Sequence, residues 1–160
     1  MSVNNTMYKD ILDHLPYKST FRFVDHISII TEEEVRGEFT LRRDAFFYED
    51  HFPGNPVTPG VILTEIMAQI GLVTMGIYLV VSGKVPGGAE PGLLFPLLTS
   101  TEVSFHKMVL PGDTVHVHSQ KQYFRFGKLK CFVLMTDSNG RRIAEGMFSG
   151  VIKHINQPVP

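Results

Sequence analysis

Apolar and polar residues alternate along much of the chain, and this two-residue period predicts β-strands with one buried face. Six segments are predicted to be strands, and they cover residues 21–30, 34–41, 93–105, 114–126, 128–136 and 141–154. The alternation is clearest where Val35 and Phe39 share one side of a segment and charged residues occupy the other. Residues 111–113 (PGD) predict a turn between two strands, and residues 137–140 (DSNG) predict a β-hairpin.

A different pattern covers residues 59–82, where apolar residues recur at helical spacing. One stripe of this segment consists of Ile62, Ile66, Ile70, Val73 and Ile77. The opposite face is also apolar or small, and a helix that is apolar all round must be buried in protein or in lipid. Its length of about 36 Å would cross a bilayer, but Glu65 and Gln69 lie within it and no basic cluster flanks it. We therefore expect an α+β protein in which six strands bury one long helix.

Composition predicts one globular domain over residues 1–160, since 43% of the residues are hydrophobic and 19% are charged. The single cysteine, Cys131, excludes an intrachain disulfide and fits a reducing compartment. The first ten residues contain no apolar core, so no signal peptide is predicted and we expect a cytoplasmic protein.

The charge is spread unevenly along the chain. Residues 1–105 carry 7 Lys/Arg and 13 Asp/Glu, a balance of −6, whereas residues 106–160 carry 8 and 3, a balance of +5, and the two sum to −1. The basic part is interpreted either as a solvated strand surface or as a patch that receives an acidic partner or a phosphate. Nucleic acid is not an expected partner, because the whole chain is not basic and no nucleic-acid-binding motif occurs.

The candidate chemistry lies in residues 51–69, which read HFPGNPVTPGVILTEIMAQ. His51 occupies a loop stiffened by proline residues, and Glu65 is the only charged residue of the predicted helix. Gln69 follows Glu65 by one helical turn, within hydrogen-bonding reach. Gly60 stands at the helix start, where unpaired backbone N–H groups attract developing negative charge. A base, an acid and an oxyanion site suit removal of a proton next to a carbonyl, followed by loss of a leaving group.

The same residues resemble the signature of the 3-hydroxyacyl-[acyl carrier protein] dehydratases, H-F-P-G-x-P-x-x-P-G-V-x-x-x-E-x-x-A-Q. Weaker similarity extends to residues 22–25 (RFVD) and 109–113 (VLPGD). The resemblance implies the hotdog fold, an antiparallel sheet of about six strands curled around one central helix. It also implies dehydration of 3-hydroxyacyl thioesters to trans-2-enoyl thioesters in the biosynthesis of fatty acids or related acyl chains.

By this resemblance, His51 would remove the C2 proton and Glu65 would protonate the departing 3-hydroxyl group, directly or through water. The Gly60 N–H would hold the thioester oxygen, and Val61, Phe52 and Gln69 would join Gly60 in binding substrate. No metal, redox group or other cofactor is implied. In the family, the base and the acid of one site come from different subunits, so a homodimer is the minimum assembly expected, with a trimer of dimers as a further possibility.

The substrate is expected to be a thioester of acyl carrier protein or of coenzyme A, and no membrane partner is expected. Candidate carrier-binding residues are the basic residues Lys107, Arg125, Lys128 and Lys130. Three departures from the family pattern stand out: Asp50 in place of glycine, Thr58 in place of a bulky apolar residue, and Ser104 and His106 in place of the arginines usual around Phe105. Two alternatives stay open, a hotdog acyl thioesterase or a non-catalytic acyl-binding subunit of a specialised pathway.

Overall fold

The computed structural model describes residues 5–84 and 93–155 of the chain. Its elements are α1 (Asn5–Asp13), β1 (His26–Ile30), β2 (Glu34–Thr40), α2 (Gly60–Ala68), a π-helical turn (Gln69–Val73), α3 (Thr74–Val81), β3 (Leu93–Phe105), β4 (Thr114–Arg125), β5 (Lys128–Thr136) and β6 (Arg142–Ile155). The sequence of residues 82–92, SGKVPGGAEPG, predicts a flexible connector, and most of it lies outside the described residues.

The six strands form one sheet in the order β1-β2-β4-β5-β6-β3, and every neighbouring pair is antiparallel. Hairpins join β4 to β5 and β5 to β6, and the second confirms the hairpin predicted at residues 137–140. The strands on either side of the turn at residues 111–113, β3 and β4, are not neighbours in the sheet. The first strand is shorter than predicted, because it begins at His26 and not at residue 21. The reason is visible at Phe23, whose backbone N–H donates to the side chain of Gln69 instead of to a neighbouring strand.

The helical segment from Gly60 to Val81, called the central helix below, combines α2, the π-helical turn and α3. It is long and apolar enough to cross a membrane, but 78% of its most apolar window is buried inside the fold, as expected for a core helix. The π-helical turn is accompanied by a hydrogen bond of 2.7 Å from the Thr74 hydroxyl to the Gln69 carbonyl. Such turns are frequent at functional sites.

Glycine allows the central helix to approach the sheet closely. A Cβ atom on Gly37 of β2 would lie 2.9 Å from Ile70 of the helix and 2.7 Å from the backbone oxygen of His26. On the other side of the contact, a Cβ atom on Gly71 would lie 3.0 Å from Val133 of β5. The helix therefore lies in a curved antiparallel sheet, which confirms the predicted α+β hotdog architecture.

Candidate active site

The loop between β2 and the central helix holds His51 by three hydrogen bonds. Its backbone N–H donates to Phe47 (3.1 Å), its carbonyl accepts from the N–H of Val57 (2.9 Å), and its Nδ1 lies 2.7 Å from the Val57 carbonyl oxygen. Because a carbonyl oxygen can only accept, Nδ1 carries the proton in this contact. The neutral imidazole therefore has an unprotonated Nε2, which is the form that a general base requires.

Phe52 covers one face of the histidine ring. The two ring centroids are 4.2 Å apart with an interplanar angle of 23°, and the peptide bond between the two residues is cis. Phe52 and Asn55 exchange backbone hydrogen bonds of 3.3 and 2.9 Å, which closes a tight turn, with Gly54 in the left-handed region at φ +72°. The Phe52 side chain itself is largely exposed. The imidazole is thus oriented by its own loop.

A buried pair of hydroxyl groups connects the two ends of the His51 loop. The Tyr48 hydroxyl lies 2.6 Å from the Thr58 hydroxyl, and both residues are buried. Burial raises the pKa of Tyr48, so its phenol stays protonated. The Thr58 N–H also donates to the carbonyl of Val109 (2.9 Å), which ties the loop to the turn before β4. The threonine that departs from the family pattern therefore has a specific partner here.

Glu65 projects from α2 into an environment that favours its protonated form. Burial raises the pKa of its carboxyl group, and the hydrogen bond from Gln69 opposes this shift only in part. The Gln69 amide donates both to Glu65 (2.8 Å) and to the Phe21 carbonyl (2.9 Å), while its oxygen accepts from the N–H of Phe23 (2.8 Å). Gln69 is fully buried. Its observed contacts fix the position of Glu65, and its expected contact with substrate stays a prediction.

A mostly apolar cavity of about 190 Å³ opens beside Glu65. Its described lining consists of Tyr17, Glu65, Ala68, Leu72, Val73, Pro96, Leu97, Leu98, Leu129, Gly150, Val151 and Ile152. His51 and Phe52 are not part of this lining. The structure thus brings Glu65 together with Gln69 and His51 together with Phe52, and among the described residues the cavity beside Glu65 does not reach the second pair.

The start of the central helix lies between His51 and Glu65 in the sequence, and it offers backbone N–H groups as hydrogen-bond donors. The N–H groups of Ile62 and Leu63 both donate to the Pro59 carbonyl, at 3.0 and 3.1 Å. The N–H groups of Gly60 and Val61 precede these bonds, so helix geometry leaves them without an intrahelical acceptor. A Cβ atom on Gly60 would lie 3.4 Å from the ring of Phe105, and the Val61 side chain is exposed. Both donors therefore lie at an accessible surface.

The sequence of the chain is similar to that of a known protein family. Residues 15–146, which include the His51 loop, Glu65 and most of the sheet, match the FabA-like domain. The chain belongs to the FabA-like family, that of the 3-hydroxyacyl-[acyl carrier protein] dehydratases.

Among FabA-like relatives, the 3-hydroxyacyl-[acyl-carrier-protein] dehydratase FabZ of Caldicellulosiruptor bescii is 34% identical over 146 residues, which cover 89% of this chain and 96% of the relative. FabZ of Deinococcus radiodurans is 30% identical over 127 residues, covering 78% and 81%. Among solved structures, the dehydratase heterocomplex ApeI:P from Xenorhabdus doucetiae aligns with a TM-score of 0.72 at 13% identity, covering 91% of each chain. A hypothetical thioesterase with coenzyme A from Streptococcus pneumoniae TIGR4 aligns with a TM-score of 0.61 at 14% identity, covering 93% and 98%. The two structural matches support the fold alone.

Two tyrosines of this FabA-like chain join the candidate site without having been predicted from the sequence. Tyr48 forms the buried pair with Thr58, and Tyr17 lines the cavity beside Glu65. Thr58 stands where the family pattern has an apolar residue, and a buried hydroxyl group requires a hydrogen-bond partner. The sequence therefore indicated that Thr58 has such a partner, which the structure identifies as Tyr48. No pattern in the sequence indicated Tyr17, which lies in the irregular segment between α1 and β1.

Proposed function

We propose that this protein is a hydro-lyase that dehydrates 3-hydroxyacyl thioesters to trans-2-enoyl thioesters. The observation that carries the proposal is the contrast between the two ionisable groups of the family signature. His51 is held with Nε2 free to accept a proton, whereas Glu65 lines an apolar cavity, where burial raises its pKa and so favours the protonated form. A base and an acid in such different surroundings suit an elimination near neutral pH.

In the proposed reaction, Nε2 of His51 takes the C2 proton, which is acidified by the neighbouring thioester carbonyl. The electron pair of the broken C–H bond forms the C2=C3 double bond, and the C3–O bond breaks. The hydroxyl group leaves with the proton of Glu65 as water, and the proton on His51 later returns to Glu65 through solvent. The Gly60 and Val61 N–H groups hold the thioester oxygen while it carries enolate charge. The step changes no oxidation state.

The active unit is proposed to be a homodimer in which His51 of one subunit faces Glu65 of the other. One observation that supports this is that His51 is absent from the described lining of the cavity beside Glu65. Another is that β3 pairs only with β6 among the described strands, which leaves a sheet edge beside the exposed side chains of Leu97, Leu98 and Phe105. An unpaired, apolar edge favours association with a second copy.

Acyl carrier protein is the proposed carrier of the substrate, and the β4–β5 hairpin is its proposed docking surface. Residues 114–136 contain four Lys/Arg and no Asp/Glu. Arg125, Lys128 and Lys130 form no ion pair with the described residues, and Phe126 is fully exposed at the tip of the hairpin. Exposed positive charge around an aromatic side chain suits an acidic protein. The reaction is expected to take place in the cytoplasm.

The docking surface is tested by reversing one charge. Arg125→Glu should raise KM for a substrate on acyl carrier protein several-fold and leave KM for the neutral N-acetylcysteamine thioester unchanged. Lys9→Glu is the matched control, because Lys9 is also exposed but lies on α1. An equal change of KM for both substrates, or no change for either, would contradict carrier docking at the hairpin.

Turnover of a short 3-hydroxyacyl thioester by the purified protein tests the reaction itself. His51→Ala and Glu65→Gln should each lower kcat by about 10²–10⁴-fold, the range for loss of a general base or acid. Appearance of enoyl thioester without free thiol distinguishes dehydration from thioester hydrolysis. If wild type turns over neither carrier-protein nor coenzyme A thioesters, the proposal is wrong.

Co-expression of the two inactive variants with different affinity tags tests the shared site. If each site combines residues from two chains, a mixed dimer contains one site with both residues intact. Random pairing would then restore about a quarter of wild-type activity, since half of the dimers are mixed and one of their two sites works. Two inactive variants that stay inactive after mixed dimers have been isolated would contradict a site shared between subunits.

A further inference from the structure

The cavity beside Glu65 contains a second polar side chain that the proposed mechanism does not use. Of its twelve described lining residues, only Tyr17 and Glu65 have polar side chains. Tyr17 comes from the segment after α1, whereas Glu65 comes from the central helix. Two polar groups that meet in an otherwise apolar cavity are the usual means by which such a site orients a ligand.

The position of Tyr17 is fixed by packing. Its ring centroid lies 6.1 Å from that of Phe21, in a tilted arrangement, and the side chain is partly buried against the core. The carbonyl of Phe21 accepts a hydrogen bond from Gln69, which also holds Glu65. A short series of contacts therefore sets the position of Tyr17 relative to Glu65.

The Tyr17 hydroxyl is an available donor. It forms no hydrogen bond with any of the described residues, although the ring is about as buried as Glu65. Burial and then the nearby Glu65 carboxylate raise the pKa of the Tyr17 phenol, so the group keeps its proton at neutral pH. A half-buried donor without a protein partner costs less free energy when a ligand oxygen accepts from it.

We propose that Tyr17 is a substrate-binding residue whose hydroxyl donates a hydrogen bond to the 3-hydroxyl oxygen of the acyl chain. The inference rests on the proposed dehydration, in which Glu65 protonates the same oxygen. A hydroxyl group that enters an apolar cavity needs partners, and Tyr17 and Glu65 are the side chains of the described lining that can supply them. With both in place, the departing oxygen is held on two sides while the C3–O bond breaks.

Tyr17→Phe removes the hydroxyl group and keeps the ring. We expect kcat/KM for a short 3-hydroxyacyl thioester to fall roughly three- to tenfold, the effect of losing one neutral hydrogen bond. A saturated acyl thioester of the same length lacks the 3-hydroxyl, so its inhibition constant should change less than about twofold. Tyr78→Phe is the matched control, because Tyr78 lies on α3 outside the described lining of the cavity, and the substitution should leave both constants unchanged.

Two results with Tyr17→Phe would overturn the inference. One is an unchanged kcat/KM, which would mean that the hydroxyl group contributes nothing to turnover. The other is a fall in kcat/KM for the 3-hydroxyacyl substrate that is matched by an equal weakening of inhibition by the saturated thioester. That result would mean that Tyr17 only lines the cavity. If wild type itself fails to turn over the 3-hydroxyacyl thioester, the dehydratase proposal and this inference are both wrong, whatever the inhibition constants are.

Discussion

The buried contact between Tyr48 and Thr58 allows a direct test of how the His51 loop is held. The residues next to these two, Phe47 and Val57, accept the hydrogen bonds from the backbone and the imidazole of His51. Loss of the contact should therefore loosen the loop at both of its ends. The substitutions are Tyr48→Phe and Thr58→Val, made singly and together, because each removes a hydroxyl group and preserves most of the side-chain shape.

The expected loss in the free energy of unfolding follows from the burial of the two hydroxyl groups. Tyr48 and Thr58 are 6% and 4% exposed, so water cannot easily replace a lost partner. A buried polar group without a partner costs about 1–3 kcal/mol, and each single substitution creates one such group. We expect each single variant to lower the free energy of unfolding by about 1–2 kcal/mol. The double variant removes both hydroxyl groups, so it should lose less than the two single variants combined, with a coupling of at least about 1 kcal/mol.

Urea denaturation of wild type, the two single variants and the double variant measures this coupling. Thr101→Val and Tyr123→Phe provide a control pair, because these residues lie on different, non-neighbouring strands and should give additive effects. Turnover should follow the same pattern, with kcat lower in each single variant and partly recovered in the double variant. Additivity within about 0.5 kcal/mol for Tyr48 and Thr58 would refute the reasoning.

Three further outcomes follow from the structure. Glu65→Gln should raise the melting temperature at pH 7, because burial raises the pKa of Glu65 in the folded state. The folded protein then loses stability as the pH rises through that folded-state pKa, and glutamine avoids this loss. Below the ordinary pKa of 4.5, the variant and wild type should melt at the same temperature. Asp137→Asn should lower the urea midpoint at pH 7, because the hydrogen bond from Lys107 and then backbone N–H groups hold the pKa of Asp137 well below its usual range. Its contribution is present above the unfolded-state pKa and is lost as the pH falls through the folded value, so the two midpoints should converge in acid. Gly146→Ala should lower the free energy of unfolding by at least about 2 kcal/mol in the same assay, since the new Cβ atom would lie 2.1 Å from the backbone oxygen of Glu102, which the sheet holds in place.

The strands and the central helix were predictable because their patterns reflect burial directly. The boundaries of β3 and β5 agree with the sequence-based prediction, those of β2 and β4 differ by one residue at one end, and those of β6 differ by one residue at each end. An alternating segment can bury one face only as a strand, and a helix that is apolar all round has to lie in the core. The prediction was poorest at residues 21–25, where apolar residues suggested a strand but a side chain from a distant helix takes the backbone hydrogen bond.

The candidate site was predictable where its chemistry is local in sequence. His51, Gly60 and Glu65 lie within fifteen residues of one another, so a single motif contains all three. Tyr17 and Tyr48 could not be placed in the same way, because their relation to the site depends on how separate segments pack. The cavity that joins Tyr17 to Glu65 forms between the segment after α1, the central helix and three strands. One sequence does not determine which side chains line such a space.

The environments of His51 and Glu65 explain why a fold of this kind suits the proposed elimination. An acid that must keep its proton near neutral pH requires desolvation, and the apolar helix buried by the sheet provides it at Glu65. A base must instead stay accessible and keep a fixed orientation. His51 is only half-buried, and the backbone hydrogen bonds of its loop fix its orientation. One chain cannot easily satisfy both requirements within a single cavity, because the burial that protects the acid would also cover the base. In the proposed homodimer, the His51 loop of the second subunit would reach the mouth of the cavity and resolve this conflict, and assembly would then be a condition of the proposed activity.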